Sequence, residues 1–262
     1  MTILDDIVRD KRAALIGVIN DTPLEVVKEK LSHAPAVRDF KAALTAGSVN
    51  IIAEVKKASP SKGVIREDFD PALLAKEYEA GGAAAVSVLT EEKYFQGSLN
   101  YLEAVRDAVS LPVLRKDFIF EPYQIYEART CGADALLLIA SLFSVEILSE
   151  LIALTQSLRM TPLVEVHTAD ELTVALDAGA EVVGINNRDL NTFVTDIENT
   201  ITLSGLIPDG IVVVSESGIS TALDIKRLRS AGVSAFLIGE ALAREPRPEE
   251  KLKELLTAGE VI

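Results

Sequence analysis

Gly132-Ala133-Asp134-Ala135-Leu136-Leu137-Leu138-Ile139 is the stretch on which the fold turns. A glycine there can end a helix in a left-handed conformation, and the aliphatic run that follows is strand-length rather than helix-length. The unit recurs in both directions. Runs at Asn50–Val55, Ala84–Leu89, Pro112–Leu114, Ala135–Ile139, Leu163–Val166, Val182–Ile185, Ile211–Val214 and Ala235–Ile238 make eight. They lie roughly 26 residues apart and alternate with amphipathic stretches of about ten to fifteen residues, the pattern of repeated strand-helix units.

The punctuation alternates as well. Gly82-Ala83, Gly132-Ala133, Gly179-Ala180 and Gly232-Val233 precede the second, fourth, sixth and eighth runs. Pro112, Pro162 and Pro208 stand at or just before the third, fifth and seventh, where a missing N–H is tolerated at a strand entrance. A chain of 262 residues has room for two small domains, yet no linker or composition break separates Ala140 from Leu163. The first run is not followed by the Gly-x-Gly-x-x-Gly turn usual in an open dinucleotide-binding sheet. The expected fold is one α/β (βα)8 TIM barrel over residues 46–262, preceded by a helical extension over residues 1–45. In that extension Leu4, Ile7, Val8, Leu15 and Val18 mark one face, and Thr22-Pro23-Leu24-Glu25 reads as a capping box. It either covers an end of the barrel or helps to enclose a substrate.

Composition narrows the function. Apolar residues are 48%, charged 25% and aromatic 5%, with no Trp, which fits an aliphatic globular core and excludes disorder. No run approaches the roughly 18 apolar residues of a membrane span, and acidic Asp5 and Asp6 stand where a signal peptide is basic and then apolar, so a cytoplasmic protein is expected. A single cysteine, Cys131, and two histidines, His33 and His167, leave neither an internal disulfide nor a metal centre in prospect. Twenty-six basic against forty acidic residues give a net charge of −14, unfavourable to nucleic acid and to acidic lipid. An anionic ligand would need positive charge gathered in a cleft.

Active sites of such barrels lie at the C-terminal ends of the strands. By the two-residue period of a strand, Glu54 and Lys56 share a face above Ile52, Leu114 shares one with Lys116 and Phe118, and Leu163 with Glu165. All come from odd-numbered runs, and each interior layer of a barrel is built from alternate strands, so these charges are expected to meet as an acid–base cluster. The sixth run continues into Asn186 and Arg188, suited to carboxylate or hydroxyl recognition. Glu216, Ser217 and Gly218 after the seventh run and Gly239 after the eighth stand where this fold commonly holds phosphate, with Ser59 closing from the first. His167, ahead of a capping box Thr168–Glu171, reads as structural. Cys131 reads as a small buried apolar residue, and Asp70-Pro71 as a helix start.

Five segments together resemble the indole-3-glycerol phosphate synthase family: 51–63, Leu114–Phe118, Leu163–His167, Gly184–Leu190 and Ser215–Ile219. The resemblance covers almost the whole chain. It implies conversion of 1-(2-carboxyphenylamino)-1-deoxyribulose 5-phosphate to indole-3-glycerol phosphate, with loss of carbon dioxide and water, in tryptophan biosynthesis, without a cofactor. It makes Lys116 the general acid at the sugar carbonyl, Glu165 the carboxylate of the later dehydration, and Glu54 and Lys56 the pair on the first strand. Asn186, Arg188, Glu216, Ser217 and Phe118 become substrate contacts, and Ser59, Ser217, Gly218 and Gly239 the phosphate region. Glu240 departs from the hydroxyl residue that many members carry there, and its charge would repel phosphate unless the side chain turns away. Other readings are a phosphosugar isomerase or Schiff-base aldolase, or a non-catalytic phosphosugar-binding protein. A monomer acting on a phosphorylated small molecule is expected.

Overall fold

A computed structural model describes residues 2–189 and 193–259; Leu190, the end of one of the five segments, lies outside them. Eight parallel strands close into a barrel in chain order: β1 (Asn50–Val55), β2 (Ala85–Leu89), β3 (Val113–Lys116), β4 (Ala135–Ile139), β5 (Thr161–Val166), β6 (Val182–Asn186), β7 (Val212–Glu216) and β8 (Ala235–Ile238). β8 pairs back onto β1 with Asn50 opposite Ala235.

The helix-ending glycines do what their lack of a Cβ permits: Gly82, Gly132, Gly179 and Gly232 all have φ between 86° and 90°. Asp70 caps the helix Pro71–Ala80, its carboxylate accepting from the N–H groups of Ala72 and Leu73 at 3.0 Å. Three strands run further than their aliphatic residues. β3, β6 and β7 continue through Lys116, Asn186 and Glu216, because a polar residue facing the mouth does not interrupt the backbone ladder.

The barrel interior is layered. Ile52, Leu114, Leu163 and Val214, from β1, β3, β5 and β7, belong to one buried apolar cluster. Two residues further along the same strands come Glu54, Lys116, Glu165 and Glu216, so the charged layer stands on a hydrophobic floor.

The N-terminal extension reaches both ends. Phe40 and Leu44, fully buried, join the cluster containing Ala85, Ala135, Val182, Val212 and Ala235 at the strand starts, and so seal the bottom. Ile3, Leu4 and Ile7, from the helix Ile3–Asp21, line the mouth at the other end. The capping box expected at Thr22–Glu25 does not form. Thr22 is the C-cap of the first helix, its N–H donating to the Val18 carbonyl, and Pro23 becomes the N-cap of the next helix, Leu24–Glu29, without a side-chain bond. The box sits instead at Thr2 and Asp5. Val18 is exposed rather than packed, whereas Ile7 and Leu15 are buried.

Candidate active site

At the mouth lies a cavity of about 480 Å³, and its wall includes every residue the sequence singles out for chemistry or binding. β1 supplies Glu54 and, just beyond its end, Lys56; β3 supplies Lys116 and the following Phe118; β5 supplies Glu165. β6 brings Asn186 and the adjacent Arg188, while β7 brings Glu216 followed by Ser217 and Gly218. Ser59 and Gly239 complete it from the ends of β1 and β8.

Lys116 Nζ lies 2.9 Å from Glu216 Oε2 and 3.1 Å from Glu165 Oε2. Lys56 pairs with Glu54. Two glycines make room for these carboxylates: a Cβ on Gly184 would overlap Glu216 Oε1, and one on Gly239 would overlap Glu54 Oε1.

Burial opposes the charge on Lys116, but Glu216, Glu165 and Glu54 outweigh it and raise its pKa above the ordinary lysine value. Two carboxylates sharing one cation cannot have equal affinity for the proton. Burial pushes Glu216 up to about 7, with Lys116 opposing and Glu165 adding to the rise. Burial acts the same way on Glu165, yet Lys116 and His167 overcome it and hold this group well below the usual carboxylate range. The result is an ammonium donor beside one ionised carboxylate and one that titrates near neutrality.

The turn after β7 is held in an unusual conformation. Ser217 has φ 68° and Gly218 φ 77°, so a non-glycine residue occupies the left-handed region beside the site. Asn187 secures it from beneath: its Nδ2 donates to Ser215 Oγ and to the Ser217 carbonyl at 3.0 Å, and its Oδ1 accepts from Thr200 N (3.1 Å) and Oγ1 (2.7 Å). Glu240 lines the cavity but is neutralised, lying 3.0 Å from Arg244, 3.5 Å from Arg188 and 3.9 Å from Lys62.

A second layer holds the ends of β3 and β5. Arg115 points away from the barrel interior and is buried against Asp117 (3.0 Å), Glu127 (2.9 Å) and the Gln124 carbonyl (2.9 Å). Asp117 also accepts from Thr90 Oγ1 at 2.6 Å and pairs with Lys11 of the N-terminal helix. His167, past the end of β5, places Nε2 3.5 Å from Glu165 Oε1, so it touches the site from behind. Only half of its capping box forms. Thr168 Oγ1 accepts from Glu171 N at 3.2 Å, but the Glu171 carboxylate accepts from His167 N at 2.7 Å rather than from Thr168. Cys131 is half-buried as the C-cap of the helix Pro122–Thr130, and burial raises its pKa to about 12.

The family model for indole-3-glycerol phosphate synthase matches residues 4–255. The chain belongs to the indole-3-glycerol phosphate synthase family. The indole-3-glycerol phosphate synthase of Carboxydothermus hydrogenoformans is 50% identical, over 97% of this chain and 99% of its own. That of Rhodopirellula baltica is 47% identical, over 98% of this chain and 100% of its own. Among solved structures, the N-acetylmannosamine-6-phosphate 2-epimerase from Clostridium perfringens superposes with a TM-score of 0.62 over 82% of this chain and 94% of its own; at 15% identity that likeness is one of fold.

Besides the residues read as site residues, this member of the synthase family lines its mouth with Leu4 and Ile7 of the first helix's apolar face and their neighbour Ile3, with Phe95, and with Arg244. The apolar face of the first helix was a signal for the former, although it does not say which end of the barrel that face meets. The spacing of Glu240 and Arg244, four apart on one helix face, was a signal for the latter.

Proposed function

We infer that this chain is a decarboxylating carbon–carbon lyase, an indole-3-glycerol phosphate synthase that forms indole-3-glycerol phosphate from 1-(2-carboxyphenylamino)-1-deoxyribulose 5-phosphate. The observation that carries the reading is the charged layer on the apolar floor, with Lys116 held as an ammonium between two buried carboxylates at the barrel mouth. Ring closure needs a proton at the sugar carbonyl, and Lys116 supplies it as the aromatic carbon attacks. Loss of the carboxylate as carbon dioxide restores the ring. Departure of the resulting hydroxyl as water needs a second proton, which Lys56 beside Glu54 provides, and rearomatisation gives one up to Glu165.

The substrate's two anionic groups find local positive charge despite the net charge of −14. Arg188 and Lys56 face the carboxylate, with Asn186, Glu216 and Phe118 completing the contacts. The phosphate takes the backbone N–H groups of Ser217, Gly218 and Gly239 together with Ser59. The ion pairs of Glu240 with Arg188, Arg244 and Lys62 keep its charge from opposing that anion.

A Schiff-base aldolase needs a lysine that is neutral enough to attack. Lys116, with its affinity for the proton raised by three carboxylates, is the opposite. The phosphorylated substrate, a monomeric state, a cytoplasmic location and the description of the chain as a 1–45 extension on a 46–262 barrel form one proposal with this activity. Among the described residues no helix is long and apolar enough to cross a membrane.

The test is product formation. Indole fluorescence should rise on adding the carboxyphenylamino sugar phosphate, against a protein without Trp background. Lys116→Ala should lower kcat by about 10² to 10⁴, the range for a lost general acid, with substrate affinity changed only a few-fold. Undiminished turnover would refute the role. Borohydride should trap no adduct on Lys116 or Lys56.

A further inference from the structure

Glu165 and Glu216 are nearly equivalent where they meet Lys116. Both are buried, and each presents Oε2 to its ammonium, at 3.1 and 2.9 Å. Asn186 hydrogen-bonds Glu165 and Glu54 adds negative potential at Glu216, and the two differ again at the other oxygen. Glu216 Oε1 is buried without a hydrogen-bond partner, whereas Glu165 Oε1 faces His167 Nε2 at 3.5 Å. That imidazole nitrogen is also buried without a hydrogen bond of its own.

The surroundings of the ring favour its cationic form. Nδ1 lies 3.3 Å from Glu171 Oε2, so carboxylates stand at both nitrogens, on β5 and on the helix Ala169–Asp177. Glu171 and Glu165 outweigh burial and raise the affinity of His167 for its proton, and Glu216 on β7 adds to this only when it is ionised. Arg188, Asp189 and Asp196 are the other charged residues around the second, open cavity that His167 and Glu171 line. The backbone at His167 is fixed by Glu171 at its N–H and by Asn199 Nδ2, 3.2 Å from its carbonyl.

We propose that His167 is a positioning residue that decides which of the two carboxylates flanking Lys116 is ionised: its imidazolium keeps the charge on Glu165 and leaves the proton to Glu216. The physical reason is the asymmetry at the distal oxygens. Placing a cation behind one of two like charges that share a single ammonium lowers the cost of ionising that one, and the partner, without compensation, retains the proton. The assignment gives the pair distinct tasks. Ionised Glu165 can accept the proton released on rearomatisation, while protonated Glu216 can return one to Lys116 after Lys116 has donated to the carbonyl oxygen. The division of tasks rests on the proposed reaction; the electrostatic assignment is measurable without substrate.

Two histidines make the first measurement direct. Carbon-13 NMR of the imidazole rings, with His33→Gln for assignment, should show His167 as the imidazolium at pH 7; a neutral ring there overturns the proposal. Carbon-13 NMR titration of the glutamate carboxyl carbons, with Glu165→Gln and Glu216→Gln used only to assign the two signals, should show Glu216 taking up its proton at higher pH than Glu165. In His167→Gln the titration of Glu165 should move to higher pH and the gap between the two groups should shrink. A gap unchanged in His167→Gln overturns the proposal, as does a wild-type Glu165 that takes up its proton before Glu216.

In kinetics, His167→Gln should lower kcat about tenfold with KM within twofold, and move the acidic limb of the pH profile upward. Imidazole should restore His167→Ala at pH 6. An unchanged profile in His167→Gln, or no rescue, counts against the positioning role. If the wild-type protein forms no indole product while the ring is charged and Glu216 holds the proton, the assignment stands and the reaction proposed above falls.

Discussion

Gly184 and Gly239 show how little space separates a working charge from a clash. The Gly184 position abuts Glu216 Oε1 and also lies 3.3 Å from Leu163 Cδ1, so an added methyl group has no free direction in which to settle. Gly184→Ala should therefore displace the Glu216 carboxylate, lower kcat more than tenfold and destabilise the fold by about 1–3 kcal/mol, read from turnover and from the urea midpoint. At this scale Glu54, Lys116 and Glu165 were legible, because the two-residue period of a strand assigns each a face without reference to any neighbour. The role of His167 was not. Its contact with Glu165 depends on how the chain turns after β5, and the local pattern around Thr168 suggested a helix start and nothing more.

The turn after β7 is an element whose shape is imposed from outside. Ser217 and Gly218 in the left-handed region are stabilised by Asn187, which serves two donors and two acceptors on β7, on the turn and on the helix Glu198–Ser204. Asn187→Ala leaves several of those buried groups unpaired; a loss of about 2–3 kcal/mol is expected by thermal unfolding, with KM raised several-fold as the turn relaxes. Asp70→Ala removes a helix cap that lines neither cavity, and should cost about 1 kcal/mol with kcat unchanged. Caps of this local kind are readable when the next residues fall into a helix unopposed, as at Asp70-Pro71. At Thr22 the preceding helix claims the same N–H, and the competing use wins.

Across the whole molecule, the protons held by the site appear in the stability. Glu216 has an ordinary value of 4.5 when the chain is unfolded and about 7 in the fold. Between those values the native protein keeps a proton that the unfolded chain has released, so this contribution is fully present below pH 4.5 and is lost as pH rises through 7. Glu216→Gln should abolish the slope: the wild-type minus variant difference in unfolding free energy should fall by on the order of 3 kcal/mol over that window, measured by urea denaturation at a series of pH values.

The strand order, the closed barrel and the ring of odd-strand charges were determined by sequence alone, since a period of roughly 26 residues, alternating glycine and proline punctuation and the two-residue strand period are local properties that survive without a partner. What the first helix covers, why Glu240 does not oppose an anion, and which carboxylate beside Lys116 stays charged were decided only in three dimensions. Those outcomes are set by Coulombic and steric contacts between residues tens of positions apart, such as Lys116 with Glu216, Lys62 and Arg188 with Glu240, and Leu4 at a mouth built from other strands. Their distances do not exist until the barrel has closed.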